Sequence, residues 1–165
     1  EGVKLTKHKS LPLLRSIYST KHHHPADYLG LLWDFPLATE IEPNLRIQEN
    51  VRTLNEHTSF VHTVYQPVWP SAARDFSSVV HWRLLRNGQD DIALCLVAFS
   101  CPEAAKLKPP QENHVRGTLN VSMHVWKQTP GGGCIHTRIL SFDLNGAMPK
   151  PLVQTIHHQQ ATLPS

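Results

Sequence analysis

The stretch over residues 65–83 constrains the fold more than any other part of the chain: Tyr-Gln-Pro-Val-Trp-Pro-Ser-Ala-Ala-Arg-Asp-Phe-Ser-Ser-Val-Val-His-Trp-Arg. Two apolar runs, Phe60–Tyr65 and Phe76–Leu85, flank a centre that contains two prolines. Because proline has no N–H and a fixed φ, this centre cannot lie inside a central strand. We therefore predict two strands joined by a structured corner.

Large aromatic side chains and an adjacent charge pair lie in or beside this corner. The aromatic residues that supply its apolar area are Trp69, Phe76 and Trp82. We predict that they pack into the bend. Arg74 and Asp75 are neighbours, and we interpret them as a structural ion pair rather than as ligand contacts.

Length and charge indicate a globular domain that is not a nucleic-acid-binding protein. The 165 residues suffice for one domain with a sizeable core. The formal net charge of +3 is mildly basic, but the chain has no Lys/Arg run and no basic stripe with interleaved aromatics. This charge is consistent with a weak attraction to an anionic membrane surface.

Cysteine usage and hydropathy indicate the compartment. The three cysteines, Cys95, Cys101 and Cys134, are odd in number, far apart and without a C-x-x-C pair. Neither a disulfide framework nor a zinc site is therefore predicted, and a reducing compartment fits. No apolar run approaches the ~18 residues of a membrane span, and no signal peptide is recognisable. We expect a soluble cytoplasmic domain, peripheral to membranes.

Runs of alternating polarity separated by turn signals predict a protein rich in antiparallel strands. The predicted strands are Gly2–Lys9, Leu11–Thr20, Arg46–Leu54, Ser59–Tyr65, Phe76–Leu85, Ile92–Phe99, His114–Lys127 and Cys134–Leu144. A short helix is predicted over residues 25–34, with Pro25 in its first turn, and a loop over Glu103–Asn113. A last helix begins at Pro151 and is expected to be truncated, so residues 1–165 are expected to be one domain cut from a longer, multidomain protein.

The clearest alternation is in the predicted strand His114–Lys127. Its apolar residues are predicted to share one face: Val115, Leu119, Val121, Met123 and Val125. Gly117 interrupts that face. An isolated glycine in a strand favours either a bulge or the close approach of a ligand to the backbone.

Two motifs that could indicate cofactor chemistry are interpreted as loops. The run His22–His24 cannot converge on one metal ion from an extended chain, and no acidic or cysteine partner has ligand spacing. The run Gly131–Gly133 is not followed by Lys-Ser or Lys-Thr, so a hairpin turn is predicted rather than a phosphate loop. We predict no metal and no cofactor.

These elements predict an α+β helix-grip fold, in which a curved antiparallel β-sheet wraps around the C-terminal helix. That helix must bury Leu152, Val153 and Ile156, and the concave face of the sheet is the natural place for them. Side chains fill such a shape incompletely, so an internal hydrophobic tunnel can hold a small ligand.

Three short motifs also follow one another in the strand–corner–strand unit: Pro67-Val68-Trp69-Pro70, Ala73-Arg74-Asp75-Phe76 and His81-Trp82-Arg83. In this order they resemble the signature of START domains, the lipid-transfer module related to steroidogenic acute regulatory protein. His114–Gly117 and Asp143–Pro149 are similar to later segments of that family. The resemblance implies one hydrophobic lipid in a closed tunnel, gated by residues 143–148 and the C-terminal helix.

The resemblance leaves the lipid class open. Sterol-binding members pair an acidic residue with an arginine, and this chain has Glu40 at the first position but Val80 at the second. Phosphatidylcholine-binding members have an arginine where this chain has Ala38. Ile41 and Glu42 also replace the usual tryptophan and aspartate or asparagine. A sterol, a phospholipid, a sphingolipid and a fatty acid all stay open.

Candidate lipid contacts come from the strand faces and the last helix, although residues of this kind are more often plain core. They are Glu40, Val80, Trp82, Leu94, Leu96, Leu119, Val121, Met123, Ile139, Leu140, Phe142, Leu152 and Ile156. Trp69, Arg74, Asp75 and Phe76 are expected to have structural roles.

Non-covalent lipid binding, with intermembrane transfer or sensing and transient membrane contact, is the leading functional hypothesis. A regulatory or scaffold module with little or no transfer is the first alternative. A cyclase-like or hydrolase-like enzyme is the second, since the chain has 12 histidines for acid–base work. No G-x-S-x-G or H-E-x-x-H motif is present, so we predict no catalytic residues and no enzyme. The oligomeric state stays open.

Overall fold

The structure is a computed structural model that describes residues 4–7, 13–33, 38–39, 42, 44–86, 92–149 and 151–156. Its strands are β1 (Lys4–Lys7), β2 (Leu14–Thr20), β3 (Leu45–Asn55), β4 (Thr58–Tyr65), β5 (Ala73–Arg86), β6 (Ile92–Ser100), β7 (His114–Arg116), β8 (Thr118–Gln128) and β9 (Cys134–Asp143). The helices are α1 (Pro25–Trp33), α2 (Pro102–Leu107) and α3 (residues 151–156). No helix in these ranges is both long enough and apolar enough to cross a membrane.

The strands form one curved sheet in the order β1-β2-β9-β8-β6-β5-β4-β3, and β7 adds to β5. All pairs are antiparallel except β5 with β7. An early strand pairs with the last one, because β2 lies beside β9 and places Leu14 opposite Leu140. Helices α1 and α3 pack on one face, here called the concave face, and α2 packs on the opposite, outer face.

Helix α1 covers one half of the concave face. It begins at Pro25, as the sequence predicts, because the first turn does not need the missing N–H. Tyr28 stacks on Trp126 with ring centroids 5.4 Å apart. Both rings belong to a buried cluster with Leu94 and Cys134. This half of the sheet therefore has a filled core.

The predicted loop Glu103–Asn113 is wrong in its first part, which forms α2. Cys101 caps this helix, since its sulfur accepts a hydrogen bond from the Ala104 N–H at 3.5 Å. Proline at the first helical position and an acidic residue in the first turn also favour a helix start. The sequence signal is weak because cysteine is an uncommon cap and the helix has only six residues.

The predicted strand His114–Lys127 is two strands, because the chain changes partners at Gly117. Strand β7 pairs in parallel with β5, whereas β8 pairs with β6 and β9. The ring of Phe76 lies against Gly117, and a Cβ atom there would be 2.3 Å from Phe76 Cε1. The glycine therefore admits an aromatic ring, where the sequence predicted a bulge or a ligand.

A β-bulge at Asn120 changes the faces of β8. Leu119 and Val121 lie opposite consecutive residues of β9, so Asn120 is an extra residue in the ladder. Leu119 therefore points to the concave face, while Val121 and Met123 point to the outer face with Ile139, the partner of Met123. The prediction that Leu119, Val121 and Met123 share one face is wrong, because one extra residue shifts the phase of the alternation.

The corner between β4 and β5 is present, but two expectations about it are wrong. Trp69 is 90% exposed rather than packed, because the corner places it outside the sheet. Arg74 and Asp75 do not form an ion pair with each other, because neighbouring residues of a strand point to opposite faces. Arg74 lies on the concave side and Asp75 on the outer side.

Candidate functional site

A cavity occupies the half of the concave face that α1 leaves open. Its volume is about 200 Å³, which exceeds the ~150 Å³ of an engineered apolar cavity that takes up benzene. Its apolar lining includes Val61, Phe76, Val80, Leu96, Ala98, Leu119, Leu140, Phe142, Leu144, Met148 and Ile156. The space therefore suits an organic ligand with a large apolar surface.

The cavity brings together part of the set of sequence-predicted lipid contacts. Those that line it are Val80, Leu96, Leu119, Leu140, Phe142 and Ile156. Trp82 and Leu94 lie on the same face of the sheet but in the cluster beneath α1. Val121, Met123 and Ile139 lie on the outer face, Leu152 is half-buried outside the lining, and Glu40 is not among the described residues. That the lining residues bind lipid stays a prediction.

The polar part of the lining was not predicted from the sequence. The polar lining residues include Asn44, Gln48, Thr63, Gln66, Ser78, Ser122 and Arg138. A signal for Arg138 was available, because Arg138, Leu140 and Phe142 alternate along β9 and must share a face. The predictions used only the apolar residues of that face.

Aromatic side chains form the end of the cavity beneath α3. Phe76 meets Tyr65 and Phe142 edge-on, with ring centroids 5.8 Å and 6.4 Å apart. Val153 and Ile156 of α3 pack on this cluster. Burial raises the pKa of the Tyr65 phenol above its ordinary value. Phe76 thus packs in an aromatic cluster that also lines the cavity, and Tyr65 is neutral.

Arg74 connects the two segments that form the rim of the cavity, residues 66–72 and 144–148. Its Nε donates a hydrogen bond to the Leu144 carbonyl at 3.1 Å, and one Nη donates to the Asn145 carbonyl at 3.1 Å. The other Nη donates to the Ala72 carbonyl at 2.5 Å and to Ser71 Oγ. Arg74 therefore ties the corner to the segment that leads into α3.

A polar cluster of Arg138, His124 and His136 lies on the concave face, and Arg138 also lines the cavity. Arg138 stands directly across from His124 in the β8–β9 pair. His124 Nδ1 is 3.1 Å from His136 Nε2, and His124 Nε2 is 3.2 Å from Ser122 Oγ. Burial and then the charge of Arg138 lower the pKa of both imidazoles, to about 4 for His136. Near neutral pH both histidines are therefore uncharged.

A comparison with family models identifies the chain. The model of the START domain matches residues 39–163. The chain belongs to the START family. The resemblance predicted from the corner motifs is confirmed, although no curated protein matches this START domain in sequence.

Solved structures share the fold of this START domain at low sequence identity. The human StarD13 (DLC2) lipid transfer and protein localization domain has a TM-score of 0.73 at 18% identity, over 98% of this chain and 85% of that one. Human StAR-related lipid transfer protein 5 has a TM-score of 0.75 at 18% identity, over 97% and 76%. A StAR-related lipid transfer protein from Xanthomonas axonopodis gives 0.71 at 17%, over 99% and 94%. These structures confirm the predicted α+β helix-grip fold.

On its outer face this START domain contains a buried charged network. His62 Nε2 is 3.0 Å from Asp75 Oδ2, and His62 Nδ1 is 3.1 Å from Glu49 Oε1. Arg116 donates to both Asp75 oxygens, at 3.0 Å and 2.7 Å, and Lys108 lies 2.5 Å from Glu49. Burial would raise the pKa of Asp75, but the hydrogen bonds from His62 and Arg116 outweigh it and hold the pKa at about 2. Within the described ranges no three His, Cys, Asp or Glu side chains could hold a metal ion.

Proposed function

We propose that this START domain binds one lipid non-covalently in the cavity and carries or senses it at a membrane surface. The observation that carries the proposal is the largely apolar cavity between the concave face and α3. The three solved START structures are all named for lipid transfer, which supports the same use of the fold here. Such a cavity removes the apolar surface of a lipid from water.

Native mass spectrometry of the chain purified from eukaryotic cells tests this proposal. We expect one adduct per chain that extracts into organic solvent. Ala98→Phe fills the cavity and should remove the adduct, because Ala98 lines it. Ala93→Phe places the same ring on the outer face of the same strand and should keep the adduct. A bare mass for the wild type, with no uptake from mixed liposomes, would overturn the proposal and favour a scaffold role.

We propose further that the lipid enters and leaves at the rim, when α3 and residues 144–148 move away from the corner. Both sides of the rim contribute to the lining, Val68 from the corner and Met148 from the other segment. Helix α3 is short and contacts the cavity through Ile156. Displacement of such an element exposes a buried ligand without unfolding the sheet.

The exposed corner is the surface proposed to contact the membrane. Trp69 is 90% exposed and Val68 is 37% exposed, and both lie on the rim. Tryptophan is favoured at membrane–water interfaces, where its apolar ring and polar N–H are both satisfied. Insertion of Trp69 at the headgroup level would place the rim of the cavity against the bilayer.

Trp69→Ala is therefore expected to weaken binding to lipid vesicles about tenfold, because the interface loses one large apolar side chain. Vesicle cosedimentation measures this, and thermal unfolding should be unchanged because the Trp69 side chain is almost fully exposed. Phe99→Ala is the matched control, since Phe99 is an exposed aromatic residue on the outer face of β6. An equal loss of binding in both variants would contradict the assignment of the corner.

A further inference from the structure

The cavity ends at two residues that it shares with the cluster beneath α1, here called the wall. Leu96 belongs to that cluster and Val80 packs against it, and both also line the cavity. Behind the wall, Trp126 is 1% exposed and Leu94 is 0% exposed. The concave face therefore has a filled half and an open half, and the wall is the boundary between them.

Stacked rings occupy the filled half. Trp126 stacks with Tyr28 of α1, with ring centroids 5.4 Å apart, and with His136 at 4.5 Å. His124 stacks on His136 with centroids 5.2 Å apart. Protein interiors of this kind are close-packed and have few voids larger than a water molecule. A ligand tail that reaches the wall therefore cannot pass it unless α1 moves away from the sheet.

The length of the open half limits the length of a bound tail. At the rim, Met148 packs on the aromatic cluster that contains Phe76, and Val80 lies four residues after Phe76 on the same face of β5. A strand rises about 3.3 Å per residue, so the open half is about 13 Å long. An extended alkyl chain advances about 1.25 Å per carbon–carbon bond. A tail of about ten carbons therefore reaches from the rim to the wall.

The volume of the cavity indicates a ligand of the same size. At about 200 Å³, the cavity is larger than the ~150 Å³ that takes up benzene. It is smaller than the ~300–1,000 Å³ of pockets that enclose drug-sized ligands. One alkyl chain fits such a space, whereas the fused rings of a sterol and the paired tails of a diacyl lipid exceed it.

From this length and this volume we propose that the cavity takes a single-chain lipid whose buried tail has about ten carbons, and that Val80 and Leu96 set this limit. The inference rests on the proposed function and deepens it, because it names the class of lipid. The tip of the tail contacts the wall, and the polar head lies at the rim, near Val68 and Met148. The further carbons of a longer tail stay outside the rim.

Unbranched fatty acids of increasing length, from hexanoate to palmitate, test the inference on the wild-type chain. Calorimetric titration below the critical micelle concentration gives a dissociation constant for each acid. We expect about fourfold tighter binding for each added carbon, because each methylene group leaves water. Beyond about ten carbons the dissociation constant should stay nearly unchanged. Cholesterol and dioleoyl phosphatidylcholine, offered in liposomes, should give no adduct in native mass spectrometry.

Two substitutions with opposite effects assign the length limit to the wall. Leu96→Ala opens space at the wall, so the gain in affinity should continue for about two to three more carbons. Val80→Phe adds a ring at the wall, so the gain should stop about two to three carbons earlier. Leu85→Ala is the matched control, since Leu85 is 49% exposed on the outer face of β5. It should leave the length limit of the wild type unchanged.

The outcomes separate this inference from the function on which it rests. An affinity that keeps rising up to palmitate, or an adduct of cholesterol or of the diacyl lipid, would overturn the size limit and leave lipid binding intact. A limit that neither Leu96→Ala nor Val80→Phe moves would overturn the assignment to the wall. If no fatty acid binds, the lipid carried from cells decides, since a sterol or a diacyl lipid would contradict the inference and a single-chain lipid would support it. Failure of every acid and of every cellular lipid to bind would remove the proposed function itself.

Discussion

Replacing Asp75 with alanine is expected to lower the free energy of unfolding by about 3–5 kcal/mol, as happens when one partner of a buried ion pair is removed. Asp75 is fully buried and receives hydrogen bonds from His62 and from two nitrogens of Arg116. Loss of the Asp75 carboxylate leaves the Arg116 guanidinium beside an empty space of about the size of that carboxylate. The network then no longer holds β7 and the segment after α2 against the sheet.

Asp75→Asn separates charge from shape in the same measurement. It keeps the volume of the side chain but removes its negative charge, so we expect most of the loss seen with alanine. Urea unfolding followed by circular dichroism gives both values, and Glu56→Gln, which changes an 83% exposed carboxylate, should have a small effect. Wild-type stability in Asp75→Asn would show that the charge contributes nothing.

The same carboxylate makes stability depend on pH. The pKa of Asp75 is about 2 in the folded chain against 3.8 for an unperturbed group, so the unfolded state takes up the proton first. The contribution of ionised Asp75 to the free energy of unfolding is therefore fully present above about pH 4 and is lost as the pH falls towards 2. This contribution is about 2 kcal/mol. Unfolding of the wild type across this window should show the loss, and Asp75→Asn should lack it.

Replacing Arg74 with methionine is also expected to lower the free energy of unfolding strongly, through lost contacts at the rim of the cavity. The arginine donates to three backbone carbonyls and one hydroxyl across the rim. Methionine fills a similar volume but leaves these acceptors without their charged donor. Hydrogen bonds to charged groups contribute about 1.5–3 kcal/mol each and are not additive, so we expect a loss of about 3–5 kcal/mol.

Arg74→Met should differ from Asp75→Asn in the rate at which the domain releases its ligand. Because Arg74 holds residues 144–145 against the corner, its loss should speed the exchange of a bound fluorescent lipid about tenfold, at temperatures where the variant is folded. Asp75→Asn destabilises the outer face and should leave that rate unchanged. Equal release rates in Arg74→Met and the wild type would contradict the role of the rim.

The sequence predicts well those features that depend on neighbouring residues. The corner follows from the two prolines near Trp69, whereas the strand faces of Val80, Leu96 and Leu140, which line the cavity, stayed open in the sequence. Helix α1 follows from Pro25 and its apolar spacing. In each case the signal lies within about ten residues and needs no distant partner.

The features that the sequence did not predict depend on long-range pairing. Asp75 meets Arg116, which is 41 positions away, because β7 runs parallel to β5, and no local pattern indicates that pairing. Trp69 is exposed because the corner extends away from the sheet, although its composition favours packing. The buried polar pair of Arg138 and His124 needs the β8–β9 register, which brings the two residues opposite each other.

The bulge in β8 predicts which single-residue deletions in this strand keep the side chains on their present faces. Asn120 is the extra residue between Leu119 and Val121, so its deletion would restore regular alternation and leave every other side chain of β8 on its present face. Deletion of Met123 would instead carry Trp126 from the buried cluster to the outer surface. We therefore expect β8 to tolerate the deletion of Asn120 better than that of Met123, because only the first deletion keeps each remaining side chain on its present face.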